Sequence, residues 1–221
     1  MLHDALLITG RDLRIEARSK VALWQVLPFA ILALLLFAFA LGPRSDLLAA
    51  TAPGLFWLAL LFSSILATQR ALSIEGSEAT RESARLLGLD PAGVFLGKMA
   101  ALGIELAALE LVLAGGVLLF FHVHVASWGL LVASCLLAVV GLSAASVLYG
   151  SLAGGARVRA TLLPILVLPV VAPVLIAGSR AFSASLAPGG GEGGRWLTVL
   201  AVFAVVYSGL GIALYGAMEE N

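Results

Sequence analysis

Charge is what this chain lacks most. Only 12% of its 221 residues are Asp, Glu, Lys or Arg, against about 25% in an ordinary globular domain. A water-soluble protein so poor in charge has nothing with which to cover its surface, so a soluble enzyme domain is excluded. Basic and acidic residues number 13 each, for a formal net charge of zero. That leaves no basic stripe as the footprint of a nucleic acid. The single cysteine, Cys135, excludes an intrachain disulfide and sits in an apolar run, where a thiol behaves as a small hydrophobe. Histidine is scarce, at three. No H-E-x-x-H, C-x-x-C or G-x-S-x-G is present, so the common intramembrane hydrolase and redox signatures are missing, and no catalytic residue is assigned.

Apolar residues fill the space. The chain is 61% hydrophobic, with a mean hydropathy of +1.08. A transmembrane helix needs about 20 mostly apolar residues. Six stretches meet that length, roughly 22–42, 47–68, 99–121, 127–149, 161–181 and 196–217. All are expected to be helical, because hydrocarbon offers no partner to unpaired backbone groups. The fold class is therefore an all-α polytopic membrane protein, one domain over 1–221. Ala38-Phe39-Ala40 resembles a signal-peptidase site. The apolar core before it is too long for a signal peptide, so the first stretch reads as a retained anchor.

Orientation follows the lysines and arginines. Arg11, Arg14, Arg18 and Lys20, then Arg70, Arg81, Arg85 and Lys98, then Arg157 and Arg159 fall on one side, leaving Arg44, Arg180 and Arg195 for the other. Both termini are expected in the cytoplasm, with the chain in the bacterial inner membrane. Over 1–20, Leu2, Ala5, Leu6, Thr9, Leu13 and Ala17 form one helical stripe, with Asp4, Arg11, Arg14 and Arg18 opposite. That pattern describes an amphipathic elbow helix in the lipid interface; a solvated basic tail is the plainer alternative. The polar segment 69–98 alternates its charges, with Glu78–Arg81 and Glu82–Arg85 as opposite-sign pairs three apart, before Gly88 and Asp90-Pro91. It reads as a cytoplasmic helical hairpin large enough for a partner to grip. Segment 182–195 is glycine-rich and expected to be a flexible outer loop. Pro164, Pro169 and Pro173 predict that the fifth span is kinked or broken.

Two nucleotide-binding look-alikes fail. Gly93 to Met99 lacks the P-loop spacing and its Ser or Thr, and Gly189, Gly191 and Gly194 follow no strand. No metal site is assigned. His122 and His124 stand where the third span meets the outer surface. One of them is a candidate ligand for iron or another metal, although two apart they do not readily grip one ion; wet interfacial histidines are the simpler reading. Glu105 and Glu110 lie inside the third span, where acids are costly. Glu105 shares a face with Lys98. Glu110 is either a polar element of a translocation path or helix contact, or a neutral carboxyl bonded to a neighbouring helix. Trp24, Trp57, Trp128 and Trp196 suggest an aromatic belt. Gly141, Ser143, Ala144, Ala145 and Ser146 suggest a close helix–helix face.

Three stretches resemble the CcmB family, the haem exporter protein B subunits of cytochrome c maturation. They are 47–70, with Ala52-Pro53-Gly54, Trp57, Ser63-Ser64 and Arg70; the hairpin ending in Gly97-Lys98-Met99-Ala100; and 159–176, with its I-L-V-L-P run at 165–169 and Pro173. The resemblance extends over nearly the whole chain. It implies an ABC-2-type permease-like subunit without ATPase activity of its own. A separate CcmA-like ATPase would bind the hairpin, through Arg70, Glu78, Arg81, Glu82 and Arg85. CcmC- and CcmD-like membrane subunits, a CcmE-like haem chaperone and a second copy of the chain are the further partners in view. Haem is cargo, with no firmly bound cofactor. Gln69 and Ala79-Thr80 depart from the family's more acidic hairpin, and Glu105 and Glu110 match no family pattern. Two other readings share this architecture: an ABC-2-type permease for another amphipathic cargo such as a lipid or drug, and a proton-coupled secondary transporter using Glu110.

Overall fold

A computed structural model describes residues 1–19, 26–42, 45–74, 89–121, 123–152 and 156–219. Among them are seven helices: α1 (Leu2–Ser19), α2 (Leu27–Leu41), α3 (Ser45–Ile74), α4 (Pro91–Phe120), α5 (Trp128–Leu152), α6 (Ala156–Leu186) and α7 (Gly193–Glu219). The described residues contain no strand. Helices α3 to α7 are each long and apolar enough to cross a membrane. Helix α2 is apolar but has 15 residues, about 22 Å at 1.5 Å per residue, short of the ~30 Å of hydrocarbon. Of the six expected spans, five thus reach full length; the first was expected over 22–42, part of which lies outside the described residues.

Local chemistry sets several ends. The Asp90 side chain accepts the Ala92 N–H at 3.2 Å, and Pro91 opens α4 with its φ already suited to a helix. That start lies eight residues before the expected one, so Gly93 to Met99 is helix and presents no phosphate-binding loop. Helix α6 runs unbroken through Pro164, Pro169 and Pro173. It continues to Leu186, and α7 begins at Gly193, which shortens the expected 182–195 loop to a tight turn. Gly189, Gly190 and Gly191 take φ of 84°, 70° and 47° in that turn, where a side chain would be strained.

From α2 to α7 the helices alternate in direction, and α4 is the hub, packing against α1, α2, α3, α5 and α7. Its buried Leu102, Leu106, Leu109, Leu113 and Val117 recur at spacings of three and four, the inward stripe of a helix. On α3, Phe56 meets Trp57 and Phe182 edge-on, with ring centroids 5.3 and 5.2 Å apart. Trp57 was expected in an aromatic belt and is instead core, 1% exposed. Gly178 of α6 makes that possible, because a Cβ there would stand 2.5 Å from Trp57 Cε2. Trp128 is exposed at the start of α5, as a belt residue should be. The stretch Gly141 to Ser146 is buried, and Phe203 of α7 packs on Gly141, the close approach its small residues imply.

Helix α1 lies along the first half of α4. Gly93 faces Met1 and Asp4, Gly97 faces Ala5 and Ile8, and Thr9 Oγ1 donates to the Gly97 carbonyl at 3.0 Å. Further along, Glu16 comes within electrostatic range of Glu105. The order of contacts is the same on both helices, so they run in one direction. One edge of the expected stripe, Ala5 and Thr9, thereby turns to α4 together with Ile8. Leu2 and Leu6 stay 78% and 74% exposed.

A Cβ at residue 97 would sit 2.6 Å from Ile8 Cβ and 2.7 Å from the Ala5 carbonyl, whereas one at residue 10 would meet open space. Gly97→Val is therefore expected to destabilise the α1 docking by about 1–3 kcal/mol. It should show as faster amide hydrogen exchange confined to α1, while Gly10→Ala slows that exchange.

Candidate functional site

The end of the bundle that carries α1 gathers the charged and polar contacts. Lys98 Nζ donates to Tyr215 Oη at 2.8 Å and lies 5.5 Å from that ring's centroid. Phe95 packs on the same ring, centroids 5.6 Å apart. Ser208 Oγ reaches Met99 Sδ at 3.7 Å. The first two turns of α4 are thus clasped between α1 and the last turns of α7. Arg11, Arg14, Arg18 and Lys98 belong to this end; Arg180 and Arg195 lie at the opposite end, where α6 turns into α7. An open groove of about 400 Å³ along α1 is bordered by Leu6, Leu7, Ile15, Arg11, Arg14 and Arg18. Arg11 is ion-paired with Asp12 at 2.8 Å.

The expected hairpin leaves from this end. Glu78, Arg81, Glu82 and Arg85 lie outside the described residues, and for Arg70 and Pro164 only the helical backbone is described. What is described is the hairpin's two anchors: the end of α3 at Ile74, and Leu89 with the Asp90 cap that starts α4.

Of the two intramembrane acids, Glu110 is the more enclosed, 5% exposed, one turn beyond Leu106 on the inward stripe of α4. It lies ten residues from Phe120, about 15 Å from that end of the helix. The Cys135 thiol of α5 is within hydrogen-bonding reach of the carboxyl, and Oε1 has no partner among the described residues. Glu105 is half-buried. His124 is exposed in the α4–α5 connection, and His122 lies outside the described residues. Among the described residues, no three His, Cys, Asp or Glu side chains converge as a metal site.

A second groove, about 380 Å³, lies between α3 and α6 near the α6–α7 turn and is lined by Gly54, Trp57, Leu58, Leu175, Ile176, Ser179 and Arg180. It was not expected from the sequence. Arg180 read as a topology marker and Trp57 as belt, and only their convergence across two helices joins them. The Trp57 indole N–H is buried with no acceptor among the described residues. An unpaired buried donor costs about 1–3 kcal/mol. By contrast the buried hydroxyls satisfy themselves: Ser63 donates to the Ala59 carbonyl at 2.8 Å, Thr68 to Ser64 at 2.7 Å and Ser185 to Phe182 at 2.7 Å.

Glu110→Gln keeps the shape and one acceptor, so its thermal midpoint in detergent should change by less than the equivalent of about 1 kcal/mol. Glu110→Arg, whose guanidinium stays charged at that depth, should lose membrane accumulation; equal accumulation of the two would show that the site is wet.

The matching family model is described as "CcmB protein" and aligns with residues 3–217. A "Heme exporter protein B" of Haemophilus influenzae is 31% identical over 179 residues, 80% of each chain. That of Pseudomonas aeruginosa is 30% identical over 210 residues, 94% of this chain and 93% of its own. A Paracoccus denitrificans protein of the same name is 31% identical over 178 residues. A multi-pass helical chain that aligns along almost its whole length with that family model is a member of the CcmB family.

Proposed function

We propose that this chain is the membrane subunit of an ABC exporter that handles haem for cytochrome c maturation outside the cytoplasm. One observation carries the reading: the alignment with a relative named heme exporter protein B, that of Pseudomonas aeruginosa, spans 94% of the chain at 30% identity. The ATPase is then a separate CcmA-like subunit, with CcmC- and CcmD-like membrane subunits and a CcmE-like haem chaperone completing the system. Haem is cargo, and this chain does no nucleotide chemistry. ATP hydrolysis next door drives either haem export or release of the loaded chaperone.

The bundle supports that division of labour. By the excess of Lys and Arg, the α1 end is cytoplasmic in a bacterial inner membrane, with both termini there. Segment 69–98 emerges at this end, beside the α1–α4–α7 clasp. The ATPase grips it through Arg70, Glu78, Arg81, Glu82 and Arg85, and the clasp passes the load into α4. Helix α1, expected as an elbow in the plane of the interface, is instead held alongside the first half of α4, with Leu2 and Leu6 exposed on its outer side.

Deleting the gene is expected to abolish c-type cytochromes, restored by the wild-type chain. Survival of those cytochromes would favour a permease for another amphipathic cargo. Glu82→Lys or Arg81→Glu should lower ATPase copurification at least fivefold while membrane accumulation holds; undiminished copurification would place the docking elsewhere. Under this reading Glu110→Gln still supports cytochrome c maturation, whereas a proton-coupled secondary transporter would lose its activity with that carboxyl.

A further inference from the structure

We propose that the outer face of α1 binds an anionic phospholipid of the leaflet at that end of the bundle, its phosphate held by Arg14 and Arg18. Helix α1 sorts its charges. The Asp4 carboxylate accepts the Asp90 N–H at 3.5 Å, Asp12 pairs with Arg11, and Glu16 comes within electrostatic range of Glu105. Its acids are thus taken up by α4 or by a neighbour on α1. Arg14 and Arg18, one turn apart, are exposed. No carboxylate among the described residues pairs with either. Both border one groove of about 400 Å³. That groove is cationic and holds no acid.

Depth selects the ligand. Helix α4 has 30 residues, about 45 Å, so roughly 15 Å of it stands outside the hydrocarbon. Helix α1 runs beside that extension and on past it. Glu16, which Arg14 and Arg18 bracket, comes within range of Glu105, seven residues beyond Lys98 and about 10 Å further along the axis. Ile104, at that level, is 52% exposed, as a side chain facing acyl chains should be. The two arginines therefore start at the boundary of headgroup and hydrocarbon. Helical side chains lean toward their own amino terminus, which for α1 points out of the membrane, so both guanidiniums reach the phosphate plane. The bilayer supplies phosphate there, whereas a soluble acidic partner stays further out. A guanidinium meets phosphate oxygens as a two-pronged donor. Gly10, one turn outward from Arg14, leaves open space over the groove for the headgroup. A zwitterionic headgroup brings its own cation against both arginines, so a lipid of net negative charge fits better. The inference rests on the membrane-spanning bundle and is independent of cargo and ATPase.

The test uses the full chain in nanodiscs of phosphatidylcholine with increasing phosphatidylglycerol, read by amide hydrogen exchange of α1. Protection should rise and saturate at a low phosphatidylglycerol fraction. The double variant Arg14→Gln/Arg18→Gln should raise the half-point by at least roughly fivefold. Arg14→Lys/Arg18→Lys should fall between it and the parent, because an ammonium keeps the charge and loses the two-pronged geometry. Arg195→Gln, at the opposite end and already paired with Glu192 at 2.7 Å, should match the parent. Three outcomes overturn the proposal: an unchanged half-point in the Gln pair, an equal shift in Arg195→Gln, or the same protection from inorganic phosphate without phosphatidylglycerol. Both arginines are exposed and away from the Ala5, Ile8 and Thr9 contacts with Gly97, so the Gln pair keeps the docked helix that the measurement needs.

Discussion

Everything in this molecule answers to one constraint: inside hydrocarbon a polar group has only the protein for a partner. The backbone meets it by forming long helices. The buried hydroxyls of Ser63, Ser64, Thr68, Ser134 and Ser185 meet it by donating to carbonyls one turn back on their own helices. Such residues bring small size to a helix contact without asking anything of the neighbouring helix. Against that background two groups stand out, Glu110 Oε1 and Trp57 Nε1. They occupy different settings. Glu110 is on the inward stripe of the hub helix beside a thiol, where a neutral carboxyl is accommodated. Trp57 is at a seam that opens on an arginine.

The helical class and the spans were legible because hydropathy over 20 residues is a strong signal and needs no tertiary knowledge. The segregation of Arg11, Arg14, Arg18 and Lys98 from Arg180 and Arg195 was equally plain, since the alternation of direction among the spanning helices converts sequence order into sidedness. Boundaries were less so. Eight residues at the start of α4 read as the end of a polar hairpin, because Gly93, Gly97 and Lys98 weaken a hydropathy window. In the fold those glycines are the surface on which α1 packs. The glycine-rich outer segment likewise shrank to a turn.

Site features were legible only where one element contained them. Glu110 is visible in sequence as an acid in an apolar run, and its neighbour Cys135 is not, because 25 positions and a reversal of direction separate them. The α3–α6 groove was hidden for the same reason. Trp57 resembles any interfacial tryptophan until Gly178, more than a hundred residues later, proves to be the space it fills. The hairpin expected from Glu78, Arg81, Glu82 and Arg85 lies outside the described residues, and the fold supplies only the ends that flank it, at Ile74 and Leu89.

The shared direction of α1 and α4 has a mechanical corollary. The pair is bolted along successive turns, from Gly93 through Gly97 toward Glu105, and Asp90 caps α4 immediately after the polar segment. A pull on that segment therefore reaches two rods splinted together, and a tilt of one carries the other. The amino-terminal arm thus behaves as the handle of a crank whose shaft is the central helix.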